Sequence, residues 1–293
     1  MILTTLFCFV DYFMKEFSLE WNKNLLPTQH IQRGPACCMS DSEMMTIVIL
    51  FHQSNYRTFK HFYKEHVTQA LCKEFPHLVS YSRFVFLMKG LFVPLFAFLH
   101  HHRGAVTGIS YVDSTKIQVC HNKRISRNKV FAKLAKTGKT TAGWFFGFKL
   151  HVIVNDRGEI ISFQLSQGNI ADVSMLEMLT KGIFGKLYGD KGYISAEIAK
   201  KLLDRGLRLF TNIREKMKNK LLPLIDKVLL RKRSIIETIN DQLKNISQIE
   251  HTRHRSPSNF LINLLSGLIA YQLKDKKPSI YLKPQDEQLL MAV

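Results

Sequence analysis

Two aspartates stand where a rigid strand could hold a carboxylate in a cleft. Asp113 follows the apolar residues 109–112, and Asp190 ends a second apolar stretch. Burial of an unpaired charge is costly, so such acids normally pair with a cation or bind a metal ion. Lys116 and Lys191 offer an ion-pair alternative for each acid. The spacing by itself therefore leaves a structural and a metal-binding role open.

A third acid, Glu237, lies in a segment with helical periodicity. One side of this predicted helix is apolar, formed by Ile236, Ile239, Leu243 and Ile246. Another side is charged, with residues at four-four-three spacing: Arg233, Glu237, Asp241 and Lys244. Ion pairs on a solvated helix contribute only ~0.2–0.5 kcal/mol each. The alternative is that this side places Glu237 in a cleft beside an anionic ligand contacted by Arg233 and Lys244.

The elements that must position these acids form a mixed α/β domain. The predicted strands cover residues 109–120, 145–155, 159–166, a short run ending at Gly189-Asp190, and 207–212. The predicted helices cover about 171–181, 195–204, 227–249 and 259–273. A tight turn over residues 155–158 joins two of the strands into a hairpin.

Residues 1 to about 105 have helical periodicity and few strand-like alternations. Ser40 and Glu43 have the spacing of a capping box, which predicts a helix start before the apolar residues 44–51. The apolar stretch 84–99 is interrupted by a lysine and a proline, and it is shorter than the ~20 residues that span a bilayer. We therefore predict a buried helix pair there rather than a membrane span.

The charge composition favours a polyanionic partner. Lys and Arg number 42 against 23 Asp and Glu, which gives a formal net charge of +19. No lipidation motif is found at either end, so nucleic acid is preferred over an anionic membrane. The five cysteines form no C-x-x-C pair, which fits a reducing cytoplasm.

The sequence resembles the transposases of bacterial insertion sequences that have a ribonuclease H-like catalytic domain, most closely the insertion sequence 982 family. The resemblance is densest in residues 111–115, 147–151, 168–172 and 188–193 and in the helix around Glu237. It implies a mixed five-stranded sheet with helices, preceded by an all-helical N-terminal domain. Related families carry a Tyr, Arg, Glu, Lys pattern around the Glu. Arg233, Glu237 and Lys244 keep its spacing, but Leu230 replaces the Tyr.

The resemblance assigns Asp113, Asp190 and Glu237 as the catalytic and metal-binding acids. It implies two Mg²⁺ or Mn²⁺ ions, ~3.5–4 Å apart, of the kind that stabilise both the attacking and the leaving oxygen of a phosphodiester. Asp113 would bridge the two ions, and each of the other acids would complete one site. Water would first cut a transposon end, and the freed 3′-hydroxyl would then attack target DNA.

Several other residues are candidates for supporting roles. The predicted DNA contacts are Lys149, Arg233, Lys244, Arg253, His254 and Arg255. Asp172, at a predicted helix start, is interpreted either as an N-terminal cap or as a supporting residue near the metals. Residues 138–140 resemble the end of a phosphate-binding loop, but Lys133 replaces its first glycine, which argues against a nucleotide site.

These observations predict three parts: residues 1–105 for DNA recognition or dimerisation, 106–280 for catalysis, and a tail over 281–293. The predicted protein is a cytoplasmic, nucleoid-associated transposase. It would act as a homodimer or larger assembly on terminal repeats and target DNA, without a membrane partner. Two alternatives remain open: a nuclease of the same fold that cuts without joining, and a basic DNA-binding protein whose triad is inactive.

Overall fold

The computed structural model describes residues 2–24, 38–141, 143–212, 222–250 and 254–281. They divide into two units. The first contains the described residues of Met1–His102 and Leu243–Asp275, and the second contains those of Arg103–Gln242 and Lys276–Val293. Residues 243–275, which the sequence analysis placed in the catalytic domain, thus belong to the helical unit. Of the predicted C-terminal tail, only residue 281 is among the described residues.

The first unit is helical, as predicted. Its helices are α1 (Leu3–Asn24), α2 (Asp41–Gln53), α3 (Phe59–His61), α4 (Thr68–Ala70), α5 (Tyr81–Leu87), α6 (Phe92–His101) and, far along the chain, α11 (Pro257–Gln272). The predicted capping box is confirmed at the start of α2. The Glu43 amide donates to Ser40 Oγ at 3.1 Å, and the Ser40 amide donates to Glu43 Oε2 at 2.7 Å.

Helix α11 explains why the chain returns to the first unit. It is apolar on nearly all sides, and Phe260 and all residues from Ile262 to Gln272 are buried where it packs against α2 and α6. The Gln272 side-chain amide also donates to the His102 carbonyl at 2.9 Å. A helix that is apolar all round must be covered on all sides, and the helices of the first unit provide that cover.

The stretch Tyr81–His101 is long and apolar enough to cross a membrane by length and composition alone. It consists of α5, the 3₁₀ segment Met88–Leu91 and α6. Phe84, Leu95 and Phe98 are buried inside the first unit, whereas Phe86 and Phe96 are exposed. The stretch is therefore only partly buried in the first unit, less than the predicted buried helix pair implies.

The second unit is built on a six-stranded mixed sheet. Its strands are β1 (Ile109–Cys120), β2 (Lys136–Thr140), β3 (Gly143–Asn155), β4 (Ile160–Gln167), β5 (Gly185–Gly189) and β6 (Leu207–Thr211). Strand β3 lies antiparallel to β1, β2 and β4, whereas β5 lies parallel to both β1 and β6. The core order β4-β3-β1-β5-β6 is the ribonuclease H-like arrangement, so the predicted fold class is confirmed.

The sixth strand, β2, was not predicted from the sequence. Its residues are Lys-Thr-Gly-Lys-Thr, which lack an apolar alternation. It pairs with residues 143–147 of β3, and β4 pairs with the remainder of β3. Tertiary pairing at the sheet edge thus gives strand structure to a segment with a weak local preference.

The helices of the second unit are α7 (Leu176–Leu179), α8 (Ala196–Asp204), α9 (Leu224–Arg231) and α10 (Ser234–Asp241). The single long helix predicted over 227–249 was wrong, because the chain breaks at residues 232–233 and a π-helical segment, Gln242–Ile246, follows α10. The buried residues Ile225, Leu229, Ile236 and Ile239 keep helical spacing through the break. Periodicity alone therefore could not reveal it.

Candidate active site

Strands β1 and β5 bring two of the predicted acids to the same edge of the sheet. Tyr111 and Tyr188 are register partners in this parallel pair. Asp113 and Asp190 each lie two residues further along, so continuing the register places them side by side and facing the same way. Tyr111 and Tyr188 are fully buried below them with stacked rings, 5.4 Å between centroids. The two acids thus lie next to a packed layer of buried aromatic rings.

Helix α10 lies against β1 and supplies the third acid. The Asn240 side-chain amide donates to Asp113 Oδ2 at 2.9 Å. Burial raises the pKa of Asp113 to about 6, and the charge of Glu237 adds to that shift. Hydrogen bonds from the Ser114 amide and Asn240, together with the charge of Arg233, oppose it. The carboxylate of Asp113 therefore lies within electrostatic reach of Glu237.

The alternative ion pair between Asp113 and Lys116 does not form among the described residues. Residues three apart on a strand point to opposite faces of the sheet, so Lys116 is directed away from Asp113. The cation that lowers the pKa of Asp113 is Arg233, at the start of α10. This side of the sheet thus leaves the carboxylate facing α10.

Arg233 and Glu237 form an ion pair with a side-chain contact of 2.5 Å. Only 17% of the Arg233 side chain is exposed, against 56% for Glu237. Both line a cavity of about 360 Å³ together with Asn212, Lys227, Leu230, Arg231 and Ser234. The i,i+4 pair expected of a solvated helix is present, but it lies at the wall of a basic cavity.

Tyr193 is a site residue that the sequence analysis did not identify. A short 3₁₀ turn, Lys191–Tyr193, follows Asp190 and buries the tyrosine ring. Burial raises the pKa of Tyr193, and so do the nearby carboxylates of Asp113, Asp172 and Asp190. The hydroxyl of Tyr193 therefore lies among three acids from three separate parts of the chain.

Asp172 joins this cluster through Lys149 of β3. Lys149 Nζ lies 3.0 Å from Asp172 Oδ1 and donates to the Ile170 carbonyl at 2.9 Å. Only 12% of the Lys149 side chain is exposed, so this predicted DNA contact is engaged with Asp172 here. Asp172 makes no side-chain cap bond; Ala171 precedes the 3₁₀ turn instead. Its contacts fit the supporting role better than the capping role.

His151 adds a neutral group beside this ion pair. Its Nε2 lies 2.7 Å from Ser166 Oγ, and its Nδ1 lies 4.0 Å from Asp172 Oδ1. Burial lowers the pKa of His151 to about 4, the Lys149 charge acts in the same direction, and Asp172 opposes the shift. At neutral pH His151 is therefore uncharged, and Lys149 supplies a positive charge to Asp172.

Three of the other predicted DNA contacts, Lys244, His254 and Arg255, lie in the first unit. Lys244 Nζ is 3.1 Å from Glu250 Oε2. Arg255 is exposed, whereas burial lowers the pKa of His254 to about 4. Arg253 lies outside the described residues. Contact of these residues with DNA stays a prediction.

The match to a protein-family model identifies the chain. A model described as a transposase DDE domain matches residues 103–257, just over half of the sequence. The chain belongs to the DDE transposase family. The DDE match supports the predicted insertion-sequence transposase, whereas its place in the insertion sequence 982 family stays a prediction. No curated protein matches the chain.

The DDE domain match includes Asp113, Asp190 and Glu237. Transposases of this family act on DNA and generally use divalent metal ions. Within the described part of the chain, no three His, Cys, Asp or Glu side chains are already grouped to hold a metal ion. The Glu237 carboxylate is turned to Arg233 instead.

Asn240 and Tyr193 were missed by the sequence analysis for different reasons. Asn240 lies three residues after Glu237, so helical spacing could have placed it on the same side of α10. Tyr193 gave no such signal, because only the turn after Asp190 brings its ring below the acids.

Proposed function

We propose that this chain cuts DNA at the ends of an insertion sequence and joins the freed ends to target DNA, with Asp113, Asp190 and Glu237 as its catalytic acids. The parallel register of β1 and β5, with α10 against β1, carries this proposal. Asp113 within β1, Asp190 directly after β5 and Glu237 on α10 would supply three carboxylates on one side of the sheet. This is the arrangement that metal-dependent phosphodiester chemistry needs.

The donor set suits Mg²⁺ or Mn²⁺, which prefer hard oxygen ligands. The three carboxylates would supply such oxygens. The side-chain oxygen of Asn240 is also buried beside Asp113 and has no hydrogen-bond partner among the described residues. When bound, two ions would activate the attacking oxygen and stabilise the leaving oxygen. A divalent cation would also offset the cost of ionising the partly buried Asp113.

The remaining residues of the site control the orientation and charge of the catalytic carboxylates. Asn240 fixes the orientation of the Asp113 carboxylate by donating to one of its oxygens. Arg233 holds the Glu237 carboxylate at the cavity wall. A DNA phosphate at this wall would compete for Arg233, because guanidinium binds carboxylate and phosphate in the same bidentate manner. DNA binding would thereby release Glu237 for the metal site.

We further propose that the first unit recognises terminal repeats or mediates dimerisation, and that the active species on DNA is a homodimer or a larger assembly. Pairing of two transposon ends favours at least a dimer. This assembly would act in the cytoplasm on the nucleoid.

The triad is tested with Asp113→Asn, Asp190→Asn and Glu237→Gln, each compared with the exposed control Asp204→Asn. Each triad variant keeps side-chain volume but loses a negative ligand. We expect loss of Mg²⁺-dependent nicking and of strand transfer, with thermal melting and DNA affinity retained. Wild-type nicking by one triad variant would remove that residue from the assignment.

The same assay separates the alternatives. A nuclease without strand transfer would give nicked but not joined products from the wild-type chain. A DNA-binding protein with an inactive triad would bind the same DNA without Mg²⁺-dependent nicking. Either result would overturn the proposed transposition.

A further inference from the structure

The connection between β1 and β3 is the most basic part of the second unit. Residues 121–141 contain no Asp or Glu but seven cations: Lys123, Arg124, Arg127, Lys129, Lys133, Lys136 and Lys139. All seven are exposed. None forms an ion pair among the described residues. We call residues 121–141 the basic segment.

The basic segment is folded against the sheet rather than loosely attached to it. A 3₁₀ turn, Asn122–Arg127, begins it, and the Asn122 side chain donates to the Trp144 carbonyl at 2.8 Å. Phe131 is 2% exposed, and its ring meets that of Phe148 edge-on. The Gln167 side chain donates to the Leu134 carbonyl at 3.1 Å. The cations are therefore displayed from a fixed scaffold.

Strand β2, within the basic segment, also packs closely against the chain after β4. Gly138 of β2 lies so close to Gly168 that an added Cβ would meet the Gly168 carbonyl oxygen. This close approach explains the glycine that resembles a phosphate-binding loop in the sequence. The segment thus presents an edge strand and a turn rather than a nucleotide-binding loop.

One exposed aromatic residue accompanies the cations. Trp144, directly after the segment in β3, is 61% exposed, and Lys139 Nζ lies 5.6 Å from the centre of its ring. A large exposed aromatic beside unpaired cations is typical of surfaces that contact nucleic acid.

We propose that the basic segment binds the phosphate backbone of duplex DNA that extends from the active site. The proposal rests on the proposed function for its partner, and it assigns residues beyond the triad and the predicted contacts. Unpaired cations without neighbouring acids attract a polyanion most strongly. Lysines also protect sheet edges from aggregation. That role accounts for the two lysines in β2 but not for the five cations that precede them.

The distance to the active site fits a single duplex. Eight residues of extended chain separate Asp113 from the start of the segment, which is about 26 Å at ~3.3 Å per residue. One turn of B-form DNA spans roughly 34 Å. A duplex cut at Asp113 can therefore reach the basic segment within one helical turn.

The test is the triple variant Arg124→Gln, Arg127→Gln, Lys129→Gln against a control that removes the same charge elsewhere in the unit. The control is Arg157→Gln, Lys181→Gln, Lys200→Gln, whose residues are exposed and without an ion pair among the described residues. Affinity for a random-sequence duplex of about 30 bp is measured in EDTA over a range of salt concentrations.

We expect the test variant to bind about 10-fold or more weakly at ~0.1 M salt, and its slope of log K against log salt to be shallower by about 2–3. The control should stay within about 2-fold of wild type. Equal losses in both variants, or no loss in the test variant, would overturn the proposal. Because these measurements need no metal, absent nicking by wild type would count against the proposed chemistry alone.

Folding and charge are checked separately. Thermal melting of the test variant should match wild type, because the three side chains are exposed and unpaired among the described residues. A charge-retaining variant, Arg124→Lys, Arg127→Lys, Lys129→Arg, should keep wild-type affinity; weak binding by it would contradict a backbone contact. In a Trp21→Phe background, DNA should also change the emission of Trp144, the one remaining tryptophan.

Discussion

Asn240 is the residue through which α10 holds the first acid. Its amide donates to Asp113 Oδ2 at 2.9 Å, and its own side-chain oxygen faces the same buried region. Partners of metal-binding side chains typically change metal affinity or activity by 10–100-fold when removed. Asn240 therefore belongs to the proposed site even though it carries no charge.

Asn240→Ala is expected to reduce nicking about 10–100-fold and to raise the Mg²⁺ concentration needed for half-maximal nicking. The Asp113 carboxylate would lose a donor that favours its ionised form. The measurement is nicking rate against Mg²⁺ concentration. Thr238→Ala, an exposed position on the same helix, is the matched control. An unchanged Mg²⁺ requirement in Asn240→Ala would show that this hydrogen bond has no part in metal binding.

His52 makes the first unit sensitive to acid. It is buried, its Nδ1 donates to the Ser247 carbonyl, and burial lowers its pKa to about 4. Between pH 6.5 and 4 the unfolded chain thus binds more protons at this residue than the folded protein. The free energy of unfolding should fall as pH drops through this window, by roughly 3 kcal/mol at its lower end.

His52→Asn keeps a donor for Ser247 but has no titrating group. We expect urea unfolding of this variant to lose less stability than wild type between pH 7 and about 4.5. His151 shifts in the same direction as His52 and remains in both proteins. The charge of His254 acts on His52, so the difference between the two proteins reports His52 together with its coupling to His254. Parallel pH profiles would contradict the assignment.

The three acids of the proposed site were identified from the sequence, but several of the contacts around them could not be. Asp113 and Asp190 were identified because each interrupts or ends an apolar strand. The engagement of Lys149 with Asp172 depends on how β3 aligns with the turn after β4, and that alignment leaves no local pattern. For the same reason the sequence offered Lys116 as a partner of Asp113, although the strand directs them to opposite faces.

Among the elements, α9 is fixed to the sheet by one buried carboxylate. Asp226 is 1% exposed and accepts hydrogen bonds from Lys186 Nζ and Tyr188 Oη, each at 2.8 Å. Both donors lie on β5. Since α9 leads directly into α10, this contact helps to place Glu237 near the sheet edge.

Asp226→Ala is expected to lower the free energy of unfolding by about 2–4 kcal/mol, because a buried hydroxyl and a partly buried ammonium lose their acceptor. Asp226→Asn keeps an acceptor and should lose less. Urea denaturation measures both, with exposed Asp204→Ala as control. A wild-type midpoint for Asp226→Ala would mean that α9 is held by its apolar contacts alone.

The order of elements could be predicted better than their bounds. Apolar alternation predicted β1 with its observed limits, and Ser195 correctly marked the start of α8. The break between α9 and α10 was hidden because the apolar spacing continues through it. Strand β2 was hidden because pairing with β3, rather than its own composition, makes it a strand.

For the whole molecule, the decisive property is that the first unit is discontinuous in sequence. A fragment that starts at residue 103 would keep α11 without α2 and α6, and would expose residues such as Phe260 and Leu268. Fragment 103–293 should therefore aggregate or bind a hydrophobic dye, and fragment 103–242 should do so less. Size-exclusion chromatography and dye fluorescence measure this. A monomeric 103–293 without dye binding would contradict it.

The discontinuity of the first unit also limits how DNA recognition by residues 1–105 can be tested. Deleting these residues would expose α11 and confound weak binding with misfolding. Point substitutions on exposed positions of the first unit avoid that problem.

The same discontinuity has a consequence for synthesis on the ribosome. Helix α6 is translated about 150 residues before α11, which at roughly 5–20 residues per second is a delay of about 8–30 s. During that time the nascent chain exposes the sides of α2 and α6 that α11 later covers. Chaperones that bind apolar segments can bind the nascent chain during this interval. A transcript truncated before codon 257 yields a chain that lacks α11, so the apolar sides of α2 and α6 stay exposed.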